Sequence, residues 1–323
     1  VNKQDQNEEP GATLVTLLPN PALDKTVVLS GFTPGRIYRP REVITLAGGK
    51  GFNFARALHT LGQRSVVVCP IGGHAGQHLL ELAARDELLC DGIPTPAELR
   101  TCLTIIDPDQ AITEIYEPGE PLPADVWEAL VERAASYFPR VSFLTLSGSF
   151  PPGTPAHGLR NLVSRAKAAG ISVLLDTYGP QLLEVLELGP HLLKVNQVEA
   201  GETVDRTINT PEQALAAAHE IQRRGVREVV ITLGKQGVVG LPASGEAFGW
   251  LAPEVEAISP TGSGDSLFAG LASGLVSGQS LSNAARLGVA AGAANTVQLG
   301  AGRLDRQLVE ELVRRVQPLA LKA

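Results

Sequence analysis

Short apolar, β-branched runs alternate along most of this chain with longer segments whose apolar residues recur at helical spacing, and few folds accommodate that rhythm. It is the pattern of parallel strands joined by crossover helices. The runs at 13–18, 65–71, 142–146, 172–175, 191–195 and 229–233 are the expected strands. One helix start can be read residue by residue. In Thr210-Pro211-Glu212-Gln213 the Thr caps, the Pro occupies the first turn and the Gln stands where a capping box needs it. Leu215, Ala218 and Ile221 then mark a single buried face.

Two stretches break the rhythm. Residues 26–46 and 100–116 read as extended segments with turns at Pro34-Gly35 and Asp107-Pro108-Asp109, and they predict a small sheet lying over the main one. The last third changes again: strands are expected to end near Ile258, and 263–298 reads as two Ala- and Gly-rich helices broken near Gly278-Gln279-Ser280. No internal repeat, low-complexity linker or block of like charge marks a second domain. The expected organisation is a disordered tail at 1–11 and one domain over 12–318, with lid segments at about 25–47 and 99–117.

Composition narrows the function classes. With 323 residues, 44% of them hydrophobic, the chain can bury a core large enough to offset its ordering entropy. A formal charge of −7 leaves no broad positive field for nucleic acid, so any anion must be held locally. Cys69, Cys90 and Cys102 form no C-x-x-C pair, which argues against a disulfide framework or a structural zinc site. The polar, acidic opening lacks the pattern of a signal peptide, and no apolar run reaches the length of a membrane span. A protein of the reducing cytoplasm, without membrane or nucleic-acid partners, is expected.

The segment that says most about chemistry is Thr261-Gly262-Ser263-Gly264-Asp265, a turn that opens a helix through Ser266, Leu267, Phe268 and Ala269. Small residues leave backbone N–H groups accessible, and the helix N-terminus adds positive dipole, so the turn suits the charge of a transferring phosphoryl group. Asp265 stands where its carboxylate would take a proton from an attacking hydroxyl. Taken alone, however, the same letters describe a capping Asp behind a flexible turn. A second segment, Gly48-Gly49-Lys50-Gly51-Phe52-Asn53, offers close backbone approach, a cation for phosphate and an amide for sugar hydroxyls, or else a glycine turn before a helix. In a third, Lys194-Val195-Asn196-Gln197-Val198-Glu199, Asn196 and Glu199 point the same way from a helical turn, able to hold Mg²⁺ through water, or simply cap it. The P-loop, the dinucleotide fingerprint after the first strand and the G-x-S-x-G elbow are all absent. His74, His78 and Glu81 have metal-like spacing, but His74 lies beside Gly72-Gly73 at a helix start and the segment reads as an ordinary helix.

Together these segments resemble the PfkB family of sugar kinases, with a ribokinase-like fold, and more closely its branch of 1-phosphofructokinases and tagatose-6-phosphate kinases. The likeness runs from Thr13 to Val316. Besides the three segments above, it rests on Asn20-Pro21-Ala22-Leu23-Asp24, Ser147-Gly148-Ser149-Phe150-Pro151-Pro152-Gly153 and Thr232-Leu233-Gly234-Lys235-Gln236-Gly237. The resemblance implies a three-layer α/β/α fold with a mostly parallel central sheet and a small β lid. It implies Asp265 as catalytic base and the amides of Gly262, Ser263 and Gly264 as the anion hole. Asp24, Gly49 and Asn53 match positions that grip sugar hydroxyls, with Gly48 and Ser147 beside them, and Lys50 and Arg100 match positions near the substrate's existing phosphate. Lys194, Asn196, Thr232, Gly234 and Gly237 match the ATP side, and Glu199 the residue that organises Mg²⁺. The lid would exclude water and favour transfer over ATP hydrolysis. Apart from the resemblance, Arg36 and Arg39 read as ordinary exposed loop arginines, with approach to the substrate phosphate from the lid as the alternative.

Three residues depart from the family pattern: Val195 stands where Pro is common, Ser263 replaces Ala, and Pro260, which lacks an N–H, precedes the anion-hole turn. The implied acceptor is a ketohexose phosphate. Fructose 1-phosphate is favoured by Gly48-Gly49-Lys50-Gly51, with fructose 6-phosphate and tagatose 6-phosphate as alternatives, and a homodimer through the lid is expected. Two other classes are weighed, a catalytically silent sugar-phosphate sensor and a Rossmann oxidoreductase; the first would lack Asp265 or Glu199 and the second needs the missing fingerprint.

Overall fold

The computed structural model describes residues 13–107 and 112–321, so the tail at 1–11 and the turn residues Pro108 and Asp109 lie outside the described residues. In chain order the first elements are β1 (Leu14–Leu17), β2 (Ala22–Val28), β3 (Glu42–Gly48), α1 (Lys50–Thr60), β4 (Ser65–Ile71), α2 (Gly73–Arg85) and β5 (Leu89–Pro94). There follow β6 (Arg100–Ile106), β7 (Ile112–Tyr116), α3 (Ala124–Ala135), β8 (Phe143–Ser147), α4 (Ala156–Ala168), β9 (Ser172–Asp176) and α5 (Pro180–Leu183). Next come β10 (Leu192–Asn196), α6 (Gln197–Val204), α7 (Pro211–Arg223), β11 (Glu228–Thr232), β12 (Val238–Leu241) and β13 (Phe248–Leu251). Helices α8 (Ser263–Val276), α9 (Leu281–Thr296) and α10 (Arg306–Arg315) and strand β14 (Gln317–Pro318) complete the chain.

All six expected strands are present, each within one residue of the expected ends. They belong to a ten-stranded sheet in the order β14-β13-β12-β11-β10-β9-β8-β1-β4-β5. From β11 to β5 the strands run parallel, and β12, β13 and β14 add an antiparallel edge. Alternate side chains leave opposite faces of a strand, and here both faces are apolar. Val15, Leu175 and Leu193 pack with α3, α4 and α7, whereas their neighbours Leu14, Leu174 and Leu192 pack with α1, α8 and α9. Cover on both sides gives the three layers.

The expected end of the strands near Ile258 needs correcting. β13 ends at Leu251, residues 252–262 form no strand, and β14 returns after the last helix to pair Trp250 with Pro318. Pro253 and Pro260 interrupt donation along the intervening segment, while Pro318 is tolerated because it sits on an edge. The two small-residue helices are as expected, and their closeness has a steric basis: a Cβ on Gly270 would lie 2.5 Å from Gly288 Cα. At the start of α7, Thr210 accepts from the Gln213 amide and the Gln213 side chain accepts from the Thr210 amide, which completes the capping box.

The irregular segments form a second sheet in the order β3-β2-β6-β7. Its register puts Ala22 opposite both Gly48 and Arg100, and Asp24 opposite Leu46 and Cys102, so three expected substrate-side residues meet where the lid joins the domain. Val43, Ile115 and Tyr116 stay exposed on it. Among the described residues no helix is long and apolar enough to cross a membrane.

Candidate active site

Parallel strands deliver their carboxyl ends to one edge of the sheet, and the crevice outside that edge is where open α/β sheets bind ligands. Here that edge carries Ser147, Asp176, Asn196 and Thr232, the last residues of β8, β9, β10 and β11, with Ser147 beside Asp176 and Asn196 beside Thr232 in register. Asp176 is fully buried, and its two oxygens lie 3.3 Å from Lys50 Nζ and 3.0 Å from Lys194 Nζ. Burial alone would raise its pKa; the ammonium groups of Lys194 and Lys50 outweigh burial and hold the carboxyl below its usual range. Lys50 Nζ also reaches Glu199 Oε1 at 3.5 Å and stands 5.6 Å from the centre of the Tyr178 ring. Burial pushes its pKa down, but Asp176 and Glu199 prevail and hold it above its usual value. Asp176 was not among the residues singled out from the sequence. The available signal was an acid closing an otherwise apolar run, Ser-Val-Leu-Leu-Asp.

Across the crevice from these strand ends, α8 begins. Gly262 is its N-cap at φ 83°, a left-handed conformation that favours glycine, and a Cβ there would lie 2.5 Å from Ala301 Cβ. Ser263 N–H donates to the Pro260 carbonyl at 3.0 Å, so one of the three amides expected in the anion hole is already engaged. Proline's missing N–H matters less here than its carbonyl, which closes the turn. Among the described residues the amides of Gly262 and Gly264 make no bond back to the segment before the helix. Lys194 Nζ lies 3.2 Å from where a Gly264 side chain would begin, so an ammonium flanks the turn. Gly262→Ala is expected to cost about 1–3 kcal/mol through the strained φ. It should also lower kcat by about tenfold or more as the turn shifts, which thermal unfolding and saturating kinetics would check.

Asp265 lies in the first turn of α8, 7% exposed, and its Oδ2 accepts from Asn53 Nδ2 at 2.9 Å. Burial and then the nearby Asp176 carboxylate raise its pKa, against Lys50, Lys194 and the Asn53 bond, to about 7. A carboxyl poised there can take up a proton at neutral pH. Asn53 is itself oriented from behind: Arg56 Nη1 is 3.5 Å from Asn53 Oδ1, and the buried guanidinium also donates to Asp86, Ala301 O and Ala47 O. Asp24 joins from the lid, where its Oδ2 accepts from the Gly49 amide at 3.3 Å; burial raises its pKa despite that bond. A Cβ on Gly48 would lie 2.2 Å from Asp24 Cγ, which explains a residue without one. Thr261 Oγ1 donates to Glu114 of β7 at 3.0 Å, tying the small sheet to the turn that opens α8.

The two cations expected to share one phosphate are placed differently. Lys50 pairs with Asp176 and Glu199 at the strand ends, whereas Arg100 sits where the lid joins the domain, its Nη atoms donating to the carbonyls of Asn20 and Glu117. No carboxylate neutralises Arg100 among these contacts, and its Nε is buried without a partner, as is Ser147 Oγ. Asn196 accepts from the amides of Val198 and Glu199, and Glu199 Oε2 accepts from the Asn196 amide, so this pair forms a capping box while Oε1 stays turned to Lys50. Thr232, Gly234 and Gly237 follow on the same edge, where Leu233 N–H closes on Gly237 O at 2.8 Å. His78 pairs with Glu81 at 3.6 Å, both side chains well exposed, and no three His, Cys, Asp or Glu side chains among the described residues form a metal set. A Mg²⁺ that keeps its waters and binds mainly through phosphates needs only one or two carboxylates, and Glu199 is the acid at the strand ends that could supply one.

A family model described as pfkB family carbohydrate kinase matches residues 20–307. An ATP-dependent 6-phosphofructokinase isozyme 2 from Escherichia coli K12 is 31% identical over 290 residues, covering 89% of this chain and 93% of that protein. A tagatose-6-phosphate kinase from Staphylococcus epidermidis is 26% identical over 307 residues, with 94% and 98% covered. The crystal structure of phosphofructokinase-2 from Escherichia coli in complex with potassium superposes with a TM-score of 0.86 at 29% identity, over 94% of this chain and 99% of that one.

Proposed function

The chain belongs to the pfkB family of carbohydrate kinases and is a sugar-phosphate kinase; from that premise we propose that it transfers the γ-phosphoryl group of ATP to a primary hydroxyl of a ketohexose phosphate, with fructose 6-phosphate preferred. The observation that carries this reading is Asp265, buried in the first turn of α8 and bonded to Asn53, with burial pushing its carboxyl up to about 7.

The acceptor hydroxyl lies against Asp265, which takes its proton as the oxygen attacks in line. Charge developing on the transferring group is met by the Gly262 and Gly264 amides, the α8 dipole and the ammonium of Lys194. Lys50 and Lys194 are held at fixed positions by Asp176, so little reorganisation is needed at the moment of reaction. Glu199 would hold Mg²⁺ through water, and the ion when bound neutralises phosphate charge. Asp24 and Asn53 serve the sugar hydroxyls, and Arg100, which makes no ion-pair contact with a carboxylate among the described residues, serves the phosphate that the sugar already carries. Thr232, Gly234 and Gly237 line the ATP side. The exposed Val43, Ile115 and Tyr116 on the lid suit a second copy of the chain.

Fructose 6-phosphate and fructose 1-phosphate carry phosphate and free primary hydroxyl at opposite ends of similar rings, so the span from Arg100 to Asp265 does not separate them. Fructose 6-phosphate is preferred because the relative at 31% identity is named for it. Fructose 1-phosphate, favoured by Gly48-Gly49-Lys50-Gly51, is the second reading. Release of ADP measured with both fructose phosphates, tagatose 6-phosphate and free fructose decides between them. The kcat/KM for fructose 6-phosphate should exceed that for free fructose by about 10³ or more, because free fructose forgoes the charge-assisted contact between its phosphate and the half-buried Arg100. Equal values with and without the sugar's phosphate would refute the assignment of Arg100.

A further inference from the structure

The anion-hole turn is held from behind by a residue that the reaction itself does not use. Helix α9 ends in the run Gly-Val-Ala-Ala-Gly-Ala-Ala-Asn-Thr, in which Asn295 is fully buried. A buried amide must find partners, and all those of Asn295 lie outside its own helix. Its Nδ2 donates to Thr261 O at 2.9 Å, on the turn itself. Its Oδ1 accepts from Ser266 Oγ at 2.9 Å, one residue past Asp265, and from Gly302 N–H at 2.7 Å. The loop at 301–302 is the one that grips the other half of the site: Ala301 O accepts from Arg56, and a Cβ on Gly302 would lie 2.2 Å from Asn53 O. The next residue, Thr296, accepts at its carbonyl from the amides of Ile258 and Ser259 as the chain approaches the turn.

We propose that Asn295 is the positioning residue of the anion hole, its one carboxamide fixing the Thr261–Gly264 turn relative to the first turn of α8 and to the loop that packs on Asn53. The inference rests on the reading of that turn as the phosphoryl site. Donors aimed at a developing charge contribute only while they are held in place, so loosening the turn weakens transition-state binding more than substrate binding. A residue that merely supported the fold would lower stability and leave turnover per folded molecule unchanged.

Asn295→Ala removes every link. Asn295→Asp keeps the size and the accepting oxygens but cannot donate to Thr261 O, and it carries the test if the first variant does not fold. In both, kcat is expected to fall about 10- to 100-fold, with KM for ATP and fructose 6-phosphate within about threefold of wild type. Affinity for MgADP with aluminium fluoride and the sugar phosphate should fall by the same factor, while MgADP alone binds as before. Wild-type kcat, or loss of MgADP affinity in step with kcat, would overturn the proposal. If Asp265→Asn is inactive while the Asn295 variants are fully active, this inference alone falls; an active Asp265→Asn brings down the reading beneath it as well.

Discussion

Asp265→Asn is expected to lower kcat by about three orders of magnitude or more while leaving MgADP affinity unchanged, because it removes the proposed proton acceptor and leaves in place the groups proposed to hold the nucleotide. The Asn oxygen can still accept from Asn53, so the site keeps its shape. The same substitution should make the protein more stable at pH 8. Asp265 has a folded pKa of about 7, raised from 3.8 chiefly by burial. A raised carboxyl pKa means that its favourable contribution is complete below pH 3.8 and is lost as pH rises through about 7. Above that, the buried charge costs about 4 kcal/mol relative to the unfolded chain. The neutral amide escapes that cost, so the melting temperature of the variant should exceed that of wild type by several degrees at pH 8, with the gap closing toward pH 4. Equal melting temperatures at pH 8 would show that the carboxyl is not strained by its surroundings.

The second large effect is at Asp176. Asp176→Asn leaves two ammonium groups facing a neutral amide, and Lys194, whose side chain is 4% exposed, has no other carboxylate within ion-pair distance among the described residues. Removing one partner of a buried pair typically costs about 3–5 kcal/mol. Lys50 adds little to that figure, since it is partly exposed and keeps Glu199. Because the folded pKa of Asp176 is depressed, its contribution is present above the unfolded value of 3.8 and is lost as pH falls through the folded one, so the full deficit appears at neutral pH. The kinetic consequence has a definite sign. Asp176 raises the pKa of Asp265, whereas Lys50 and Lys194 lower it. Deleting the first while keeping the others must move the acid limb of the kcat profile below about 7. A limb that stays in place, or moves up, would show that the two carboxylates do not interact.

These two acids mark how far the sequence can be read. The central strands were legible because burial on both faces writes them as unbroken apolar runs, and the placement of Asp265 on a first helical turn because the segment before it combines small residues with a helix start. Asp176, Arg56 and Asn295 left no comparable mark. Each is a single polar residue in or beside an apolar segment, and its partners arrive from far away: Lys50 is 126 positions from Asp176, and Ala301 is 245 from Arg56. Periodicity reports which face is buried, not which buried polar groups find one another. Lys50 shows the same gap. Its neighbours were plain in the glycine segment, but whether its ammonium turned toward Arg100 or toward Asp176 depended on long-range packing. The strands toward the two ends of the sheet, β5, β12, β13 and β14, were missed for another reason, since their short runs carry Gly92, Pro94, Gly240, Gly249 and Pro318, residues that ordinarily signal turns.

Single-turnover transfer from radiolabelled ATP to fructose 6-phosphate, followed by rapid quench between pH 5.5 and 8.5, isolates the step proposed for Asp265. In wild type the rate should rise about tenfold per pH unit and level off near pH 7, and in Asp265→Asn only a small rate without that rise should remain. Transfer by Asp265→Asn at close to the wild-type rate would contradict the assignment of the base.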